Sequence, residues 1–399
     1  MRSTERGVMR PIAHVLSLPL LTGVARRAGA DLATTKQSQR RNQLKDLRGR
    51  KHMRVNKCDV RTAAAVAVGA LLALALPLGA AQAQQQPIVM KISTPTIRDI
   101  PDTWARNFAA AVEKDSGGRI KAEVYPASQL GSIPRQIEGT QFGAIQMEIV
   151  PPEFMVGLDE RFGVMAAPGL VDSQAHGQRV AAVPEVQKLM LSLGADKGLH
   201  GVGLFMAEPS ELVSKTPIRH LDDFKGKKIR IFASPFQSVA FERLGVTPVA
   251  MTLGDVLPAI QQGTIDGAIS GMGPITNFHM IDAAKFVTHT SQPAIFIIAE
   301  VNLKWYQSLP AELQQIIDKD AAEQSVAINQ TAVKLLNEAE EAWTAAGGEL
   351  IKLPPDEQAT FMKTLASVGR DVSSKKPDLG AAYSIVAEAA QRTRQSPSQ

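Results

Sequence analysis

An α/β fold is predicted for this chain of 399 residues. The first observation is alternation: short β-branched segments are separated by stretches with helical apolar spacing, from residue 89 nearly to the C-terminus. The second is composition. With 44% hydrophobic residues, 30 Gly, 24 Pro and one Cys, the chain is neither collagen, coiled coil, disulfide scaffold nor wholly disordered. At roughly 150 residues per domain, two to three domains fit.

Val89–Ser93 reads as the first strand. Asp102 or Thr103 is expected to cap a helix whose Trp104, Phe108 and Val112 recur on one face, with Gly117-Gly118 ending it. Ile120, Ala122 and Val124 then alternate with Lys121 and Glu123 as a second strand. Ala144–Val150 is a third, stopped by Pro151-Pro152. Further strands are expected at 201–206, 211–214, 228–232, 247–251, 266–270 and 294–301, with helical stretches between most of them. From Pro310 the apolar spacing of Leu313, Ile317, Ala321, Ile328 and Leu336 predicts one helix of roughly thirty residues or more, long enough to cross two domains.

Charge divides the chain. Residues 1–83 carry 15 Lys and Arg against 4 Asp and Glu, a balance of +11, whereas residues 84–399 carry 29 against 35, a balance of −6. A bulk positive field therefore does not recruit the second segment's partner, and nucleic acid is not expected to be one. The break coincides with a signal-peptide pattern. Arg54, Lys57 and Arg61 follow Met53, an uncharged apolar run spans Ala63–Leu78, and Ala81-Gln82-Ala83 is a small-x-small site. Residues 53–83 are read as a cleavable signal, with cleavage between Ala83 and Gln84 and export to the periplasm. Residues 1–52 are read as a mis-assigned start or a disordered extension. Cys58 would leave with the signal, so the mature chain would have no disulfide, thiol nucleophile or Cys-ligated zinc.

Local catalytic signatures are absent: there is no H-E-x-x-H, G-x-S-x-G or P-loop. The five histidines after residue 84 lie at least ten residues apart and form no local ligand pair. No enzyme activity, cofactor or metal is expected.

One constellation has a mechanism. Lys228-Ile229-Arg230-Ile231-Phe232 reads as a strand, with Arg230 and Phe232 on the face opposite Ile229 and Ile231. Ser234, Pro235 and Gln237 then form an S-x-x-Q capping box opening a helix. A guanidinium that forks onto a carboxylate, beside the free N–H groups of a helix start, favours an anion. The alternative is an exposed Arg230 paired with Asp222, Asp223 or Glu242, since surface ion pairs are common.

Five segments in order resemble the solute-binding subunit of tripartite ATP-independent periplasmic (TRAP) transporters of the DctP type. They are Tyr125–Gly131, Leu221–Arg230, Leu244–Met251, Ala259–Gly267 and Leu309–Gln314. The resemblance runs from about Met90 to about Ala390. It implies a two-lobed, type II-like periplasmic binding fold, with hinge strands and a long C-terminal helix bridging the lobes. The first lobe would hold 84–211 and about 297–345, the second 212–296 and about 346–390, with 391–399 a disordered tail. It also implies that a small organic acid is captured by lobe closure and delivered to TRAP membrane permease subunits. The same fold would serve a sensor reporting to a membrane receptor; an enzyme would reveal itself by turnover.

In the family the Arg of the K-x-R strand meets the ligand carboxylate, and Arg230 stands at that position. Two departures bear on the ligand. A second pocket Arg is replaced here by Ser210-Glu211-Leu212, and the family's Glu-Asn after D-G-x is Ile269-Ser270. Loss of a cation and an amide points away from dicarboxylates and sialic acids. It favours a monocarboxylate with an apolar body, held by Arg230 beside Phe232, Phe236, Met272 and Phe278, with Ser234 and Ser270 as polar contacts. Gln146 and Glu148 are the alternative source of polar contacts.

Overall fold

The computed structural model describes residues 86–394. The expected signal segment, its cleavage site and residues 1–52 lie outside the described residues, as do residues 395–399 of the expected tail; residues 391–393 of that tail are instead the last turn of helix Pro377–Thr393.

Eleven strands form two sheets. The first, in the order β2-β1-β3-β10-β4, contains β1 (Ile88–Ser93), β2 (Ile120–Tyr125), β3 (Met147–Val150), β4 (Leu199–Pro209) and β10 (Ala294–Asn302). The second, in the order β11-β9-β5-β8-β6-β7, contains β5 (Glu211–Ser214), β6 (Lys228–Ile231), β7 (Thr247–Ala250), β8 (Gly267–Ser270), β9 (Phe286–His289) and β11 (Glu349–Lys352). β1 pairs in parallel with β2 and β3, while β10 runs antiparallel between β3 and β4. In the second sheet β6 is parallel to β7 and β8, and β5 is antiparallel to β8 and β9. β9 and β11 carry no strong signal: each has four residues, and their mutual pairing supplies the stability that their local sequence lacks.

Each sheet has a core of its own, and a third cluster joins Val150, Leu204 and Phe296 of the first sheet with Leu212, Ile229 and Ile269 of the second. Helix Ile100–Asp115 lays Trp104, Phe108 and Val112 against Met90, Ile92 and Phe205 of the first sheet. Trp104 stacks on Phe108 at 5.1 Å and on Phe205 at 5.4 Å, and its indole N–H donates to Ser325 at 3.3 Å. The cap of this helix is Asp99, not Asp102 or Thr103: Pro101 can occupy the first turn, so the helix starts earlier and the Asp99 carboxylate accepts from the Asp102 N–H. The second core gathers Val213, Val256, Ile260, Ala268, Ile275 and Val287 under the second sheet.

The predicted long helix is two helices of 17 residues, Ala311–Ala327 and Asn329–Ala345, meeting at Ile328. Ile328 keeps right-handed helical angles (φ −58°, ψ −26°), so the chain continues in nearly the same sense. Leu313, Ile317 and Ala321 of the first half enter the first core, whereas Ala339 and Trp343 of the second half enter the second. One helical pair thus serves both lobes.

Strands connect the sheets as well. Only Ser210 separates β4 from β5, and four residues separate β9 from β10. These crossings brace each other: the Ser210 N–H donates to Pro293 O at 3.2 Å, and the Thr290 hydroxyl donates to Ser210 O at 2.9 Å. Glu211, in the segment that replaces the family's second arginine, accepts from the Thr290 N–H at 3.0 Å and lies 3.4 Å from His289. The last helix, Pro377–Thr393, packs on both sides of the division: its Tyr383 stacks on Phe236, in the helix after β6, at 6.4 Å. Its Leu379, Ala382 and Val386 join Val180, Val186 and Met190, and His176 bonds Ala390 O at 2.9 Å.

Candidate functional site

A narrow cavity of about 40 Å³ lies where the two sheets turn their strand ends toward each other. Pro95 follows β1, Pro151 follows β3, Glu208 lies at the end of β4, and Ser270-Gly271 ends β8. This is the crevice beyond the carboxyl ends of strands where α/β folds bind ligands. The walls are mostly apolar, from Ile133, Ile149, Phe154, Leu253, Ile295 and Ile297 among others. Polar groups are few, and among the described residues Arg230 is the one cation on the wall.

Arg230 is 1% exposed. Its Nε donates to Met251 O at 2.9 Å and its Nη1 to Ile269 O at 2.8 Å, so β7 and β8 fix the guanidinium from either side of β6. The Phe232 ring lies 4.5 Å from its Cζ and the Phe154 ring 6.0 Å away. Among the described residues no carboxylate comes within 4.0 Å of it, and Nη2 has no acceptor. The surface-pair alternative does not hold: Asp222 pairs with Lys225, and Asp223 accepts from the Arg219 and His220 N–H groups. Burial lowers the Arg230 pKa to about 9, opposed by the nearby Glu153, so the group keeps its charge at neutral pH. Burial pushes Glu153 up to about 8, with the Arg230 charge pulling the other way.

The helix start after Arg230 differs from the expected capping box. Ser234 Oγ accepts from the Phe236 N–H at 3.2 Å, but Gln237 Oε1 reaches past the cap to accept from the Phe232 N–H at 2.8 Å. Gln237 therefore pins the end of the Arg230 strand rather than closing the box.

Of the residues expected at the site, Arg230, Phe232 and Ser270 line the cavity together. The others do not. Ser234 is spent on its cap, Phe236 packs in the core against Gly163 and Tyr383, and Met272 and Phe278 belong to or lie against the second core. Gln146 is held by Lys91 N and Gly143 O. Glu148 sits on the face of the first sheet opposite Ile149, buried beside Glu300.

Two residues without a strong local signal complete the wall, Asp99 and Glu208, each 3% exposed. Asp99 Oδ1 accepts from the Thr96 hydroxyl (2.9 Å) and the Asp102 N–H (3.1 Å), while Oδ2 is buried without a partner. Glu208 Oε2 accepts from the Gly273 N–H at 3.1 Å. Burial raises Asp99 to about 7, with the neighbouring Asp102 charge adding to it, and burial together with the Asp99 charge raises Glu208 to about 8. The Gly271-Met272-Gly273 turn makes room for both. A Cβ on Gly271 would lie 2.0 Å from Glu208 Cδ, and one on Gly273 would lie 2.9 Å from Asp99 Cβ. That steric reason is what the two glycines encode.

Two lobes joined by strands, with a lined cavity between them, define a ligand-capturing protein of the periplasmic binding type. Residues 98–376 match the family of bacterial extracellular solute-binding proteins, family 7 (DctP), and the chain belongs to it: it is a TRAP transporter solute-binding protein, a binder and not an enzyme. It is 28% identical over 310 residues to the C4-dicarboxylate-binding periplasmic protein DctP of Rhodobacter capsulatus, covering 76% of this chain and 90% of that one. It is 30% identical over 211 residues to the uncharacterized protein YiiZ of Salmonella typhimurium, covering 52% of this chain and 64% of the relative. Among solved structures, the sugar acid binding protein DctPAm of Advenella mimigardefordensis, in complex with galactonate, superposes with a TM-score of 0.73 at 19% identity. That match covers 77% of this chain and 99% of the other. A TRAP periplasmic solute-binding protein of Xanthobacter autotrophicus with bound β-D-galacturonate has a TM-score of 0.69 at 24% identity, covering 75% and 99%. Among the described residues no helix is long and apolar enough to cross a membrane.

Proposed function

We propose that this protein captures an organic monocarboxylate with an apolar body by lobe closure and delivers it to TRAP membrane permease subunits. The observation that carries the reading is Arg230: a buried guanidinium, held in place by two carbonyls, with Nη2 free of any protein acceptor among the described residues. A guanidinium fixed before the ligand arrives loses little entropy on binding. The apolar wall suits a hydrocarbon body, and the single cation suits one carboxylate rather than two. The relatives' ligands include sugar acids and a C4-dicarboxylate, all carboxylates. Lobe boundaries near residues 211 and 297 let the paired crossings serve as hinges, and export follows cleavage between Ala83 and Gln84.

The test is a thermal-shift screen with galactonate, galacturonate, pantoate, orotate, succinate and straight- and branched-chain monocarboxylates, followed by calorimetric titration of wild type and Arg230→Ala. A ligand at 100 times its Kd stabilises by about 2.7 kcal/mol. Truncating one partner of a shielded charge pair costs about 2–5 kcal/mol, so Kd should weaken by roughly 30-fold to several thousand-fold. Binding to Arg230→Ala within about threefold of wild type would show that the carboxylate sits elsewhere. N-terminal sequencing of protein from the native host should begin at Gln84; a start upstream of Met53 would overturn the export reading.

A further inference from the structure

We propose that the ligand carries an ammonium group at the end away from its carboxylate, held between Asp99 and Glu208, so that the cavity selects an amino-bearing monocarboxylate. This rests on the reading of Arg230 as the carboxylate partner.

The geometry gives the cavity two poles. At one, Arg230 is fixed between β7 and β8. At the other, Asp99 from the first lobe and Glu208 from the crossing strand both abut the Gly271–Gly273 turn of the second lobe. A Cβ at Gly273 would lie 2.9 Å from Asp99 Cβ and 3.5 Å from Glu208 Oε1, so both side chains border one small volume. Asp99 Oδ2 is buried there without a partner. The groups that do donate to the pair are neutral: the Thr96 hydroxyl and the Asp102 and Gly273 N–H groups. Among the described residues neither carboxyl has a Lys, Arg or His within 4.0 Å. The other charged neighbours bring no free cation: Asp102 is paired with Arg106 at 3.0 Å, and Glu211 with His289 at 3.4 Å.

Charge balance then favours a cationic group on the ligand. Asp99 and Glu208 share the wall with Arg230 alone, and with that arginine on the carboxylate the ionised pair has no positive partner from the protein among the described residues. A zwitterion adds no net charge and brings the cation that the pair lacks. Buried acids with no counter-charge hold protons, as the raised values of about 7 and 8 express. An arriving ammonium makes ionisation favourable, so binding should release protons from the pair.

The experiment compares matched probes on the full-length exported protein: 4-aminobutanoate, 5-aminopentanoate and 6-aminohexanoate against butanoate, pentanoate and hexanoate. At least one amino acid is expected to bind about tenfold or more tighter than its deaminated partner. Titrations near pH 7 in buffers of different ionisation enthalpy should show proton release approaching one per site, and affinity should rise from about pH 6 to about pH 8. Glu208→Gln and Asp99→Asn should each weaken the amino acid about tenfold or more while leaving the deaminated acid unchanged or tighter. The proposal is overturned if deaminated acids bind as well as amino acids, if both variants keep amino-acid affinity within about threefold, or if no amino acid binds. Carboxylates that bind through Arg230 with no amino preference would sink this proposal alone. Amino acids that need Asp99 and Glu208 but bind Arg230→Ala like wild type would sink the carboxylate reading and leave the acid pole standing.

Discussion

Two pairs of buried carboxyls differ in access and in hydrogen-bond partners. Glu148 and Glu300 face each other across β3 and β10, fully buried, with all four oxygens unpartnered. Burial raises both well above the ordinary carboxylate range, and the proximity of Glu148 adds to the shift of Glu300. Asp99 and Glu208 are also raised chiefly by burial, with the Asp99 charge adding to the shift of Glu208, but they border a cavity and touch both lobes. The sealed pair lies behind the first sheet, where Glu300 Oε2 comes within 3.4 Å of a Cβ built on Gly194, and does not line that cavity. A perturbed carboxyl is therefore a stability feature in one place and a ligand contact in the other; the shift alone does not distinguish them.

Arg230 should show the largest effect when this contrast is probed, because it serves the accessible pole. Arg230→Lys is expected to lose most of the affinity that Arg230→Ala loses, since an ammonium cannot bond two carbonyls and a carboxylate with the same planar fork. The alanine variant should also be less stable by about 1–3 kcal/mol, because Met251 O and Ile269 O lose their donor. The burial of Arg230 beside two strands is what makes that stability loss measurable. Melting curves and titration of both variants read the two losses separately.

Glu300→Gln addresses the sealed pair. A carboxyl whose folded pKa is raised binds its proton more tightly folded than unfolded, so its contribution is fully present below the unfolded value and is lost as pH rises toward the folded one. Wild type should therefore lose stability on going from about pH 5 to about pH 8, and Glu300→Gln should flatten that decline. Each kcal/mol recovered should raise Tm by about 2–4 °C. Ligand affinity should not change. A Tm difference that is the same at both pH values would mean that the pair is ionised or solvated.

The smallest expected effect is at the lip of the cleft. Asn277 Nδ2, on the second lobe, donates to Arg98 O, on the first, at 3.1 Å. Asn277→Ala removes one exposed hydrogen bond across the closed lobes, worth about 0.5–1.5 kcal/mol, and should weaken ligand binding by roughly 2- to 10-fold. It should leave the pH profile of stability untouched. A larger effect on apo stability than on affinity would assign the bond to folding rather than closure.

The strands with strong apolar alternation and the helix of Trp104 are written locally, because a period of 2 or 3.6 residues is a property of consecutive positions. Nine of the eleven strands could be read that way; β9 and β11 are held by pairing instead, β9 between β5 and β11 and β11 on β9. Arg230 was legible because a strand-end guanidinium before a helix start has a local form. Phe236 and Met272 were misplaced for the opposite reason: sequence shows that a side chain is apolar, not whether it faces a core or a cavity. Glu148 failed through parity, since Ile149 next to it faces the cavity and alternation turns Glu148 away. Asp99 looks in sequence like one more polar residue before a helix, and Glu208 like the end of a strand. Their meeting depends on a crossing between sheets and on a glycine turn more than sixty residues further along the chain. Sequence thus determined the α/β class, the family pattern and the cation, each carried by neighbouring residues. Only the tertiary structure decided which acids face that cation across the cavity, because burial and the company of distant charges are set by packing and not by order along the chain.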